Sequence, residues 1–201
     1  MAAAPIGSAL QIVRLQGVRR APARTPVHRA LPIALREATS ADASVIHALI
    51  DEHLAEGHLL PREQPEIAAH AHRFVVAVQG GGVDNSVVGC AELAPLSRSV
   101  AEVRSFVVSR DARSLGVGQR IVDTLVARAQ TAGYDRLCAF THSPGYFVHL
   151  GFSIVPHTWL PEKIATDCHS CRHFRQCGQY AVVRALPRAP HSCVPLASLH
   201  G

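Results

Sequence analysis

Hydrophobic and polar positions along the chain fall into alternating stretches of strand and helix period. Ile33 to Ala38 predicts a short strand, and Thr39-Ser40-Ala41-Asp42 supplies cap chemistry for a helix running to about Leu54. A second short helix is expected after Arg62. Phe74-Val75-Val76-Ala77-Val78 is a β-rich run, and Gly80 to Asn85 turns the chain into a second run from Val87 to Leu93, which together predict a hairpin. Val100 to Ser109 predicts another strand. From Gly116 to Ala132 the period lengthens, and Ile121, Val122, Leu125, Val126 and Ala129 make one apolar helical face. Arg136 to Thr141, Gly145 to Leu150, Phe152 to His157 and Gln179 to Arg184 then read as strand, short helix, strand and final strand. The order implies a single α/β (α+β) domain over 33–184, with a mixed sheet flanked by helices.

The ends differ from this middle. Residues 1–32 are rich in Ala, Arg and Pro, and residues 185–201 are punctuated by Pro; neither shows a periodic apolar face, and both are expected to be disordered. The leader has an Arg-rich, acid-free composition, which fits an organelle transit peptide or an over-extended start; the second leaves the cytoplasm as the expected location.

The formal charge of +5 is concentrated there. Five of the 20 basic residues (Arg14, Arg19, Arg20, Arg24 and Arg29) precede residue 31, where no Asp or Glu occurs, so the remainder carries 15 basic residues against 15 acidic ones. A formally neutral domain lacks the basic footprint of a nucleic-acid or anionic-membrane binder, and a small-molecule partner is expected instead. The apolar runs are too short to span a bilayer. Six cysteines in 201 residues fit a reducing compartment.

The segment with most chemistry in it runs from Val107 to Ile121, a strand leading through Arg113-Ser114-Leu115-Gly116-Val117-Gly118 into the strongest helix. Glycines at 116 and 118 admit a bulky anion, and the first helical turn presents free N–H groups and the positive end of the helix dipole. Arg113 and Arg120 can add charge. A tight strand-to-helix turn would give the same pattern without a ligand.

This loop resembles the Arg/Gln-x-x-Gly-x-Gly/Ala loop of the GNAT superfamily, with Ser114 where the family often has Gly. Arg36-Glu37-Ala38-Thr39 is similar to the family's opening strand, Val88-Gly89-Cys90-Ala91 to its third, and Gly145 to Phe152 to its aromatic helix ending in Leu-Gly-Phe. Within the superfamily, Ala101-Glu102-Val103-Arg104-Ser105 resembles the amino-acid N-acetyltransferases typified by N-acetylglutamate synthase, and the segment from Trp159 to Cys177 resembles the short synthases, which lack the amino-acid-kinase domain of the longer ones. The resemblance implies a mostly antiparallel GNAT sheet, an acetyl-CoA cosubstrate held by Phe106, Val107, Val108, Arg113, Ser114, Leu115, Gly116, Val117, Gly118 and Gln119, and direct transfer to the α-amine of an amino acid. L-glutamate is the first choice, which would place the chain in arginine biosynthesis without arginine control through a kinase domain. Glutamine or aspartate as acceptor, or a non-catalytic sensor, are the alternatives, and a homodimer is left open.

Acetyl transfer to an amine needs the ammonium deprotonated, the thioester carbonyl polarised and the thiolate accommodated. The resemblance assigns the first role to Glu102, which otherwise reads as a solvated strand carboxylate. It implies Ser143 as the acid, a residue that equally suits a helix N-cap before Pro144. The family's tyrosine position holds Phe147, with Tyr146 one place away; both otherwise read as packing. Acceptor carboxylates would be met by cations, for which Arg104, on the strand face of Glu102, and Arg36, Arg62 and Lys163 are the candidates. Arg110 and Arg128 read as surface charges.

Cys168, Cys171 and Cys177, with His169 and His173 between them, are candidate zinc ligands. Only one Cys-x-x-Cys pair is present, so packing cysteines or a redox-sensitive pair are favoured over zinc. Cys90 and Cys138 fall in strands and read as core.

Overall fold

The computed structural model describes residues 32–57, 59–80, 86–171 and 173–187. The expected leader up to residue 31, the turn after Gly80, and residues 188–201 of the expected tail, with Cys193, lie outside the described residues. Of that tail, expected over 185–201, Ala185 ends the last strand and Leu186 is buried in the core, its N–H donating to the Asp135 carbonyl at 2.8 Å.

Among the described residues, seven strands form one sheet: β1 (Ile33–Glu37), β2 (Phe74–Gln79), β3 (Ser86–Pro95), β4 (Val100–Val108), β5 (Arg136–Thr141), β6 (Ser153–Val155) and β7 (Tyr180–Ala185). Five helices flank it: α1 (Ala43–Leu54), α2 (Gln64–Ala69), α3 (Val117–Thr131), α4 (Pro144–His149) and α5 (Pro161–Thr166). The spatial order is β1-β2-β3-β4-β5-β7-β6, so the last strand inserts between β5 and β6. All pairings are antiparallel except β4 with β5. The mixed sheet flanked by helices is the one the element order predicts, and its mostly antiparallel pairing is the one the family resemblance implies.

The two faces of the sheet carry separate cores. On one, α3 buries Val117, Ile121, Val122, Leu125, Val126 and Ala129 against Val75, Ala91, Ala101, Val103, Leu137 and Val182. On the other, α1 and α2 bury Ile46, Leu49, Ile50 and Ile67 against Phe74, Val76, Cys90 and Val107. Leu160, ahead of α5, packs on Val100, Cys138 and Ala181. Helix α5 was not expected from periodicity. It is six residues long and starts on Pro161, with Glu162 in its first turn where the dipole favours an acid.

Two irregularities in β4 create the site. Parallel pairing with β5 runs only over Val100–Val103 opposite Arg136–Ala139, whereas β4 stays on β3 through Val108. The strands therefore fork beyond Val103. Within the fork, Ser105 takes φ 50 and the β3–β4 register shifts between Cys90 and Glu92, a β-bulge that inserts one residue and re-aims the side chains after it. Before the bulge Glu102 and Arg104 share the α1/α5 face; after it Val107 takes that face.

Candidate active site

The loop leading out of β4 turns through two left-handed residues, Ser114 (φ 68) and Gly116 (φ 73). Such alternation of backbone hand gathers N–H groups into a concave array that suits an anion. Gly116 caps α3, and the first N–H to bond within the helix is that of Arg120, donating to the Gly116 carbonyl at 3.2 Å. The N–H groups of Val117, Gly118 and Gln119 thus stand ahead of the intrahelical ladder, at the positive end of a 15-residue helix. Gly118 lies under the ring of Tyr146: a Cβ there would come 2.5 Å from the Tyr146 Oη and 3.0 Å from the Phe106 ring. Phe106 and Tyr146 stack at 5.8 Å, and burial, followed by the charge of Asp123, raises the Tyr146 phenol above its ordinary range.

Arg113, expected at this anion site, is engaged elsewhere. Its guanidinium donates to the Val108 carbonyl at 3.1 Å and to both Glu56 oxygens at 3.0 and 2.8 Å, and Arg110 donates to the same carboxylate at 3.1 Å. Arg113 holds the Glu56 carboxyl below its usual range. Arg110 is therefore an exposed charge as expected, though a paired one.

Ser114 adopts the backbone that its sequence position made costly. A left-handed L-residue costs about 1–2 kcal/mol, and the greater chain entropy of glycine cancels part of that on substitution. Ser114→Gly should stabilise the fold by about 0.5–1 kcal/mol, read as a rise of about 1–4 °C in thermal midpoint. A lower midpoint would show that the serine hydroxyl makes a contact worth more than the strain.

At the fork, Glu102 is buried at 3% exposure, directly opposite Cys138 on β5. Two cations meet its carboxylate: Arg104 Nε at 2.5 Å and Lys163 Nζ, from α5, at 2.8 Å. Both also bind Asp167, Lys163 at 2.7 Å and Arg104 through its second nitrogen. The Lys163 ammonium lies 5.3 Å from the centre of the Phe140 ring. The Cys138 thiol stays in the core, its pKa driven up by burial and then by the Glu102 charge.

A second cluster continues along the same face. Arg62, just before α2, donates to Glu92 and to the Ser105 hydroxyl, each at 3.0 Å, and pairs with Glu66 at 2.8 Å. Glu92, on β3, is itself buried at 2% and has Arg73 at 3.9 Å. The structure thus brings Glu102, Arg104, Lys163 and Arg62 to one face of the fork. Glu92, Ser105 and Asp167 belong with them and were not singled out from the sequence. A lone acid within the apolar run Val87 to Leu93 was a signal for Glu92, and the four-residue spacing from Lys163 was one for Asp167.

Arg36 does not join this group. It sits on edge strand β1, three strands from β4, and its guanidinium clamps Asp42 at 2.8 and 2.6 Å. Asp42 also accepts the Thr39 N–H at 2.7 Å, closing the capping box ahead of α1, and Arg36 drives its carboxyl far below the ordinary range. The expected anchor is a helix-cap partner. Arg128, expected to be a surface charge, donates to the His72 carbonyl at 2.6 Å and sits 3.5 Å from Glu37.

Ser143 occupies the N-cap position of α4 without a side-chain cap bond. Its backbone N–H donates to Thr141 Oγ1 at 3.0 Å, and its side chain is exposed beside the end of β5. Phe147 is core, in edge contact with Phe152 at 5.2 Å. Among the described residues, no group of three or more His, Cys, Asp or Glu side chains is arranged to hold a metal ion. Cys168, Cys171 and Cys177 are free thiols; a chain turn that bonds the Cys171 N–H to the Cys168 carbonyl at 3.0 Å does not bring the three together as ligands. No helix among the described residues is long and apolar enough to cross a membrane.

A forked sheet, a glycine-capped helix after β4 and a buried carboxylate at the base of the fork suit an anionic ligand held beside an acid–base group. The model of the acetyltransferase (GNAT) family matches residues 40–152. The chain belongs to the GNAT family and is an acyltransferase. It is 30% identical to the uncharacterized N-acetyltransferase CT2212 of Chlorobaculum tepidum over 152 residues, covering 76% of this chain and 96% of that one. It is 33% identical to the amino-acid acetyltransferase of Ralstonia nicotianae over 130 residues, covering 64% of this chain and 28% of the relative. The N-acetylglutamate synthase of Neisseria gonorrhoeae, solved with coenzyme A and N-acetyl-glutamate, superposes with a TM-score of 0.68 at 27% identity, over 78% of this chain and 35% of that one. This chain is therefore related to the amino-acid acetyltransferases and spans about a third of the length of these longer relatives.

Proposed function

We propose that this chain transfers the acetyl group of acetyl-CoA directly to the α-amine of an acidic amino acid, L-glutamate before others. The observation that carries the reading is the buried Glu102 carboxylate at the fork, with the Arg104 and Lys163 cations against it. Acetyl-CoA supplies the activated acetyl group. The free N–H groups of Val117, Gly118 and Gln119 suit its pyrophosphate, and the β4 edge beyond Val103, unpaired on the β5 side, offers N–H groups to its pantetheine arm and thioester oxygen. Glu102 takes the proton of the acceptor ammonium, Arg104 and Lys163 hold a carboxylate beside it, and Arg62 at Ser105 receives a second one. The exposed Ser143 hydroxyl is available to protonate the departing thiolate.

One observation favours a second reading with a less anionic acceptor such as glutamine. Arg62, Arg104 and Lys163 all face carboxylates already, namely Glu66, Glu92, Glu102 and Asp167, so the site has little uncompensated positive charge.

Release of coenzyme A from acetyl-CoA, screened across the amino acids, separates these. Fastest turnover with L-glutamate is expected; a clear preference for glutamine moves the acceptor. Binding of acetyl-CoA without turnover on any amino acid would leave a sensor and overturn the proposal.

A further inference from the structure

Asp167 is the member of the Glu102 cluster without an assigned role. It terminates α5, where its N–H donates to the Lys163 carbonyl at 3.0 Å. Its carboxylate takes both cations that the acceptor reading requires: Lys163 at 2.7 Å and the terminal nitrogen of Arg104. It is also the most accessible of the four groups, at 38% side-chain exposure against 14% for Lys163 and 4% for Glu102.

We propose that Asp167 is an internal stand-in for the α-carboxylate of the acceptor, occupying its seat on Arg104 and Lys163 until an amino acid displaces it. The proposal rests on the acceptor reading above. Its geometric basis is that Glu102 and Asp167 are separated by one shared ammonium, since Lys163 Nζ reaches Glu102 at 2.8 Å and Asp167 at 2.7 Å. Two contacts on one nitrogen hold the Glu102 and Asp167 oxygens within about 5.5 Å of each other, a span covered by one hydrogen bond from Glu102 to an α-nitrogen plus the bonded path from that nitrogen to its own carboxylate. An amine hydrogen-bonded to Glu102 can thus bring its carboxylate within reach of the cations that Asp167 now holds.

Charge makes the exchange obligatory. Arg104 and Lys163 together balance Glu102 and Asp167, so a further carboxylate entering with Asp167 in place would face two anions. Partial exposure makes the exchange cheap, because an ion pair reached by water contributes little net stability. Asp167 leads directly into the short turns at Cys168–Ser170 and Phe174–Gln176, so releasing it needs no strand of the sheet to move. The device selects for acceptors that carry an α-carboxylate and leaves simple amines unable to compete for the two cations.

The test is steady-state kinetics of the full chain and of Asp167→Asn and Asp167→Ala, with the preferred amino acid and with 4-aminobutyrate, which is glutamate without its α-carboxylate. Both variants should raise kcat/KM for the amino acid about three- to tenfold through a lower KM, as expected when one competing, partly exposed carboxylate is removed from the two cations. Neither should improve turnover of 4-aminobutyrate. A raised or unchanged KM for the amino acid would make Asp167 a structural anchor of Lys163 and overturn the inference. Equal gains with 4-aminobutyrate would overturn it too, since the α-carboxylate would then be irrelevant. A wild-type protein that acetylates no amino acid would instead overturn the acceptor reading, whatever the variants do.

Discussion

Glu102→Gln lowers kcat for acetyl transfer by about two to three orders of magnitude, the range expected when a positioned general base is removed. The amide keeps the size of the side chain and cannot take the ammonium proton. The variant should still fold, because Asp167 remains to balance Arg104 and Lys163, so neither cation is left alone against the sheet. Coenzyme A affinity should stay within about twofold, since Glu102 is on the fork face and the anion loop is at the start of α3. Steady-state release of coenzyme A with matched calorimetric titrations checks both parts. A kcat within threefold of wild type would remove Glu102 from the chemistry.

Gly118→Ala tests the other half of the site. An alanine in an exposed helix interior normally stabilises by about 0.5–1 kcal/mol relative to glycine. Here its Cβ would fall 2.5 Å from the Tyr146 Oη and 3.0 Å from the Phe106 ring, distances that force one partner to move. The family loop admits Ala at this position, but in this chain the Cβ meets the tips of the stacked Tyr146 and Phe106 rings. Where those rings hold their place, overpacking costs about 1–3 kcal/mol and is relieved by a shift of the first turn of α3. Coenzyme A affinity should fall at least about tenfold by calorimetry. The double variant Gly118→Ala/Tyr146→Ala removes the closest obstacle and should recover part of the loss. Unchanged affinity in the single variant would mean that the start of α3 does not hold the pyrophosphate.

Much of this site was legible because its parts depend on local chemistry. The α3 apolar face, Gly116 and Gly118, and the shared strand face of Glu102 and Arg104 come from spacing, and the structure keeps each of them. Spacing alone read Glu102 as solvated, whereas it is buried, and only the family resemblance put it in the site. The parts that were not legible depend on long-range placement. Strand β7 inserts between β5 and β6, an order that no local pattern encodes. Helix α5 is too short to show periodicity, yet it delivers Lys163 and Asp167 across 61 and 63 positions of sequence to Glu102 and Arg104. Arg36 looked equivalent to Arg104 as a cation near a strand end, but Asp42 six residues on captures it. Ser114 shows the converse: it stands where the family often has Gly, and the backbone adopts the left-handed conformation all the same.

The most direct test of the account is a single-turnover reaction of the full chain with acetyl-CoA and L-glutamate, monitored by mass spectrometry of the small molecules and the intact protein. Direct transfer predicts N-acetylglutamate and coenzyme A in equal amounts, with the protein mass unchanged throughout. Coenzyme A released without an acetylated amino acid, or a protein that gains an acetyl group before product forms, would contradict direct transfer at Glu102.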